Sequence, residues 1–184
     1  MTPSEQLKEE HQGILLMLRI LEKVAAKLEA KEKVDVNHLE RIVEFLRVFA
    51  DKCHHGKEED LLFPAMEKAG VPRERGPIGV MLAEHQQGRG YVRGMAEDID
   101  RQKKGESKAL ADYAENARNY IALLTQHIKK EDNVLFPMGE KVLSKETQQD
   151  LVEGFEKIEV ERIGEGTHEE FHTLLRHLEK IYLK

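Results

Sequence analysis

One short constellation occurs twice in this chain: Glu-His-Gln, a gap, then His-x-x-x-Glu followed by Leu-Phe-Pro. The first copy is Glu10-His11-Gln12, then His54, Glu58 and Leu62-Phe63-Pro64. The second is Glu84-His85-Gln86, then His127, Glu131 and Leu135-Phe136-Pro137. Lys57 matches Lys130 and Glu59 matches Asp132 in the same register. A lone His-x-x-x-Glu says little in a Glu-rich chain, and a third one stands at His55/Glu59 without further support. The constraint comes from the upstream and downstream pieces repeating together, which reads as a duplicated helical hairpin.

Helical periodicity extends over both copies. Thr2-Pro3-Ser4-Glu5 is a capping box with proline at the first helical position, and apolar residues from Leu7 to Leu28 then recur at helical spacing with His11 on their stripe. A second helix starts near Val36, carries His54 and Glu58 inward, is expected to kink at Pro64 and stops at Gly70. The Gly- and Pro-rich stretch 70–77 separates the copies. A third helix with His85 and Arg89 inward ends near Gly105, and a fourth from about Ser107 carries His127 and Glu131. Short connections make neighbours antiparallel, so the expected fold is all-α: an up-down-up-down four-helix bundle over residues 1–143. Residues 144–184 lie outside the repeat. Ser144 opens a fifth helix, Gly164-Glu165-Gly166 breaks it, and Thr167 to Glu170 is a second capping box for a last helix. This helical extension is expected to pack on the bundle or to form a homodimer contact.

Charged residues make up 35% of the 184 residues and aromatics 5%, which suits long amphipathic helices with solvated faces. A net charge of −6 without a basic stripe argues against nucleic acid or anionic membrane as partners. A single cysteine, Cys53, excludes an intrachain disulfide. With no apolar leader or membrane-spanning run, the expected location is cytoplasmic.

Residues four apart lie one turn above each other on a helix, so His54/Glu58 and His127/Glu131 each offer a nitrogen and an oxygen to one inward point. His11 and His85 close the set from the other two helices. Imidazole suits iron, zinc or copper, and a carboxylate can bridge two cations. Six such side chains buried without a cation would be costly. A single inward histidine is more often a hydrogen-bonded core residue, but duplicate register reverses that weighting. His38, His168, His172 and His177 have no such support, and Cys53 and Leu-Phe-Pro read as core packing.

Glu-His-Gln followed by His-His-Gly-Lys-Glu-Glu-Asp-Leu-Leu-Phe-Pro resembles the hemerythrin-like, or HHE cation-binding, family over roughly residues 5 to 140. The resemblance implies a bundle around a non-haem di-iron centre, with two iron ions held by His11, His54, His85 and His127 as terminal ligands and Glu58 and Glu131 as bridges. Oxygen carriers of the family have a fifth histidine where this chain has Arg89, and their second bridging acid would select Asp132. The internal repeat favours Glu131, with Asp132 and its repeat partner Glu59 as further candidates. His55 or water would supply the missing ligand, and Arg89 would be a partner of a bridging carboxylate, of a bound anion or of a neighbouring helix.

A His-rich shell points to a module that binds or senses oxygen, or a related diatomic or redox signal. The alternatives are an enzyme acting on peroxide or nitric oxide, with Tyr91, Tyr113 or Tyr120 as proton donor, and a factor for iron handling or iron–sulfur repair. The repair proteins of the family usually carry a Cys-bearing N-terminal segment, and this sequence starts directly at the bundle. A structural metal site or an iron store is a third class. Iron is the expected metal, and manganese or zinc would take the same ligands in a purified sample.

Overall fold

The computed structural model describes residues 1–184, which form six helices and no strand. These are α1 (Pro3–Glu29), α2 (residues 36–68), α3 (Pro77–Lys103), α4 (residues 109–142), α5 (residues 145–163) and α6 (Thr167–Tyr182). Helices α1 to α4 form the antiparallel bundle, with α3 against α4, α1 against α4, and α2 against both α1 and α3. No helix is long and apolar enough to cross a membrane.

The chain ends its helices as local chemistry dictates, with one exception. Thr2 accepts a hydrogen bond from the Glu5 amide at 3.2 Å while the Glu5 carboxylate accepts one from the Thr2 amide at 2.7 Å, completing the expected box. Ser144 caps α5 by accepting from the Thr147 amide at 3.1 Å. The expected box at Thr167 does not form. Gly164 and Gly166 both take positive φ, so Gly166 becomes the cap residue and the Thr167 hydroxyl donates back to the Ile163 carbonyl at 2.6 Å.

Pro64 and Pro137 act differently from a simple kink. Immediately before each, the helix widens into i→i+5 turns, over Glu58–Leu62 and Glu131–Leu135. A proline ring clashes with the carbonyl four residues back, and a wider turn relieves that clash. The Phe63 amide accordingly donates to the Glu58 carbonyl, and the Phe136 amide to the Glu131 carbonyl. Both inward glutamates thus begin a widened turn whose cause is written at the proline six residues further along. A longer widened stretch, Leu46–His55, precedes them in α2 alone.

Buried apolar side chains fall into two groups, one on each side of the histidine level. The larger is built from α1 to α4 and is closed by Phe171, Leu174, Leu175, Leu178 and Tyr182 of α6. The smaller contains Leu7, both Leu-Phe pairs of the repeat, and Leu151 and Phe155 of α5. The C-terminal extension therefore packs on the bundle and contributes to both cores. A polar layer between two apolar ones is shielded from water, which strengthens every charge interaction inside it.

Candidate metal centre

Seven ionisable side chains converge in that layer: His11 from α1, His54, His55 and Glu58 from α2, His85 from α3, and His127 and Glu131 from α4. His55, the most exposed of them, is 4% accessible. His55 enters because of the widened stretch before it, since a wider turn brings adjacent residues closer to one face. Its counterpart in the second copy is Ile128, on a regular turn.

The two carboxylates divide the layer into two pockets. Glu58 Oε1 lies 3.3 Å from His54 Nε2, and its Oε2 lies 3.2 Å from His85 Nε2. Glu131 Oε2 lies 3.1 Å from His11 Nε2, and its Oε1 lies 3.0 Å from His127 Nε2. His11, His54, Glu58 and Glu131 form one group of mutually close ligand atoms, and His55, Glu58, His85 and His127 form the other. Each carboxylate has one oxygen facing each group, which is the arrangement of a bridge. Donor atoms at about 2.1 Å around one octahedral ion would sit about 3 Å apart along the polyhedron's edges, and the separations found here match.

Four carboxylates outside the layer hold the four histidines that the repeat singles out. His11 Nδ1 donates to Asp132 at 2.7 Å and His54 Nδ1 to Glu10 at 2.6 Å. His85 Nδ1 donates to Glu59 at 2.7 Å and His127 Nδ1 to Glu84 at 3.0 Å. Glu10 and Glu84 serve the partner helix within their own hairpin, whereas Glu59 and Asp132 reach across to the other hairpin. These contacts assign the proton to Nδ1 and leave each Nε2 lone pair facing inward. The Nε2 atoms of His85 and His127 then oppose each other at 3.1 Å. The inward Nε2 atoms of His11, His54 and His55 and all four oxygens of Glu58 and Glu131 are buried without a hydrogen-bond partner. Acceptors facing acceptors in a shielded layer need positive charge between them, supplied by protons or by metal ions, and the seven residues fit a metal pair. Glu59 and Asp132 bind from outside and turn no oxygen into either group.

Basic residues hold three of these carboxylates in turn. Lys57, fully buried, donates to Glu10, and it also reaches Glu159 of α5 at 2.5 Å. Lys130 donates to Glu84. Arg89 binds Asp51 through Nε at 2.9 Å and Glu59 through Nη2 at 2.8 Å. Since Asp51 accepts from His55 Nδ1 at 3.1 Å, Arg89 supports both His55 and His85. Its partners are these outer carboxylates, not the inward Glu58 or Glu131. The Leu-Phe pairs also touch the site: Phe136 stacks on His11 at 5.4 Å and Phe63 on His85 at 6.1 Å.

In the metal-free protein, protons supply the missing positive charge. Burial alone would drive the proton off His54, but Glu58 and Glu10 outweigh it and hold its pKa up to about 10. His85 is held up to about 9 against the same burial by Glu58 and Glu59. His55 is the opposite case: burial and the neighbouring His85 push it down to about 3, so it stays neutral. Burial opposes ionisation of Glu58, yet His54 and His85 keep it well below the usual carboxylate range.

Glu10, Glu84 and Asp51 were not singled out as site residues in the sequence, although the first two precede a motif histidine in both copies and that repetition was the available signal. Of the tyrosines, Tyr113 is buried and donates to the Leu39 carbonyl, and Tyr91 meets Gln87 at the surface. Tyr120 alone lines a cavity that reaches His55 and His85. His168 lies outside the layer, near Glu10 and Glu159.

A family model described as hemerythrin HHE cation binding domain matches residues 2–139. The chain is also similar to uncharacterised proteins of Mycobacterium bovis and Mycobacterium tuberculosis, each 27% identical over 165 residues. That match covers 90% of this chain and spans 64% of the length of those relatives.

Proposed function

Because the chain belongs to the hemerythrin HHE cation-binding domain family, we propose that it holds two iron ions in this cage and binds or senses oxygen or a related small redox ligand. The observation that carries the proposal is the pair Glu58 and Glu131, each buried without a hydrogen-bond partner and each facing two histidine groups. His11 and His54 would serve one ion, His55, His85 and His127 the other, and the two glutamates both. Bound iron would supply one-electron redox chemistry in a dry site. The chain's own residues orient the imidazoles through the outer carboxylates, exclude water with the two apolar cores and keep Nδ1 protonated. The five-to-two balance of imidazole over carboxylate supports a reversible or sensing role, since more carboxylate would favour higher oxidation states. Manganese and zinc suit the same donors and are the competing occupants in a purified sample. One unpaired, buried cysteine supports a reducing, cytoplasmic location.

Tyr120 supports a second reading, an enzyme acting on peroxide or nitric oxide. Burial, together with nearby Asp51, raises its pKa and keeps its hydroxyl protonated beside His55 and His85. A protonated tyrosine there can donate a hydrogen bond to a molecule entering from the cavity.

The test is anaerobic loading with iron(II), metal counting per chain, then one pulse of oxygen and a purge while absorbance is followed. Two irons per chain with visible bands that vanish on purging are expected for reversible binding. Bands that persist point to a redox sensor or the enzyme reading, with turnover of peroxide lost in Tyr120→Phe separating the two. Failure to retain metal overturns the proposal.

A further inference from the structure

A cavity of about 240 Å³ opens between α2 and α3, with His55 and His85 at its inner end. At about 30 Å³ per molecule it has room for roughly eight waters. Its charged lining is Arg47, Arg89 and Arg93 against the single carboxylate Asp51. Arg89 commits Nε and Nη2 to Asp51 and Glu59, while its Nη1 makes no hydrogen bond to protein. Arg47 and Arg93 are exposed and have no carboxylate within ion-pairing distance, although acidic residues outnumber basic ones by 35 to 29 in the chain. A concave site of positive sign on a chain of net charge −6 is a local inversion of the protein's field.

We propose that this cavity is a port for small anions, held by Arg47, Arg89 and Arg93 and brought against the His55 and His85 side of the cage. Anion binding in the port does not depend on metal, whereas its use as a route to a reactive centre rests on the di-iron reading above. Two unpaired guanidiniums at the rim draw the anion from solvent, and the free Nη1 of Arg89 offers a donor deeper in. Arg89 thereby links the port to the cage, because the same guanidinium holds the carboxylates that orient His55 and His85. The port serves one of the two histidine groups only, since neither His11 nor His54 lines it.

Formate and formamide are matched in size and differ in charge, which makes them suitable probes. Each is titrated into the metal-free 184-residue chain and its zinc-loaded, diamagnetic form while amide and arginine side-chain NMR signals are followed. Formate is expected to shift the signals of Gly88 to Arg93 and the Arg89 side chain, with formamide leaving them in place. The double variant Arg47→Glu/Arg93→Glu, at two exposed positions outside the cage, is expected to weaken formate roughly tenfold or more. Equal shifts with both probes, shifts elsewhere on the surface, or unchanged affinity in the double variant would overturn the port. Zinc uptake on the same samples keeps the two ideas apart. Formate binding without zinc uptake leaves the port standing and removes the cage, and zinc uptake without formate binding does the reverse.

Discussion

Asp132 on α4 accepts a hydrogen bond from Nδ1 of His11 on α1 at 2.7 Å and ties the last helix of the bundle to the first. Glu59 does the same for His85 between α2 and α3. With Glu10 and Glu84 inside each hairpin, the four contacts run round the bundle as a closed ring. Losing one such outer partner costs about 10–100-fold in metal affinity in other sites. Asp132→Asn is therefore expected to weaken metal binding by about that factor with the fold retained, as measured by chelator competition. Unchanged affinity would make the contact an ordinary surface pair.

His55 and Ile128 share a register position in the two copies, but only His55 is turned into the polar layer, so His55→Ile removes one imidazole from the cage and replaces it with an apolar side chain. The expected outcome is a folded protein whose metal content falls from two ions to one per chain. Retention of both ions would show that His55 is not a ligand.

The proton inventory gives a pH dependence with opposite signs for the two forms. His54 and His85 have folded-state pKa values of about 10 and about 9, above the value of about 6.5 for free histidine. The folded metal-free protein therefore binds more protons than the unfolded chain between pH 6.5 and 9. The stabilisation from these two histidines is fully present below 6.5 and is lost as pH rises through 9 and 10, by at most about 1.4 kcal/mol per pH unit for each histidine. Metal must displace those protons, so loading tightens as pH rises over the same window and acidifies a weakly buffered solution. Denaturant melts and a pH electrode during zinc titration check both signs.

Metal removal should lower thermal stability. An ion at 100 times its dissociation constant adds about 2.7 kcal/mol, which for a chain of this size is roughly 5–10 °C in Tm per site. Calorimetry before and after chelation, with helix content followed by circular dichroism, is the measurement. A loss of all helical signal on chelation would indicate a structural metal site instead.

Cys53 lies 1% exposed in α2, and burial pushes its thiol up to about 12. The thiolate is the reactive form, so alkylation of the native protein at pH 8 is expected to be slower than that of the unfolded chain by about a thousandfold or more. Rapid native labelling would contradict the packing of α2 against α5.

Much of the site was readable in sequence because a helical face repeats with the spacing of the motif. His54 with Glu58 and His127 with Glu131 follow from one turn of helix, and the duplicated register identified His11 and His85 as their partners. The task of Glu59 and Asp132 was not readable, because each acts on a histidine of the other hairpin and the contact depends on how the hairpins face each other. Arg89 was recognised as a departure from the family pattern, but its partners Asp51 and Glu59 sit on another helix. The Thr167 box failed because two glycines with positive φ set the corner before the threonine could cap it.

Taken alone, the sequence determined helix type, helix order, the bundle and the inward set of four histidines and two glutamates, since periodicity and caps are local properties of the chain. Only the tertiary structure decided that His55 joins the cage, that five carboxylates hold the imidazoles from outside, and that an arginine-lined cavity reaches one histidine group. These depend on widened turns and on side chains meeting across helices, and the physical reason is that such contacts are set by the packing of whole elements, which no local pattern encodes.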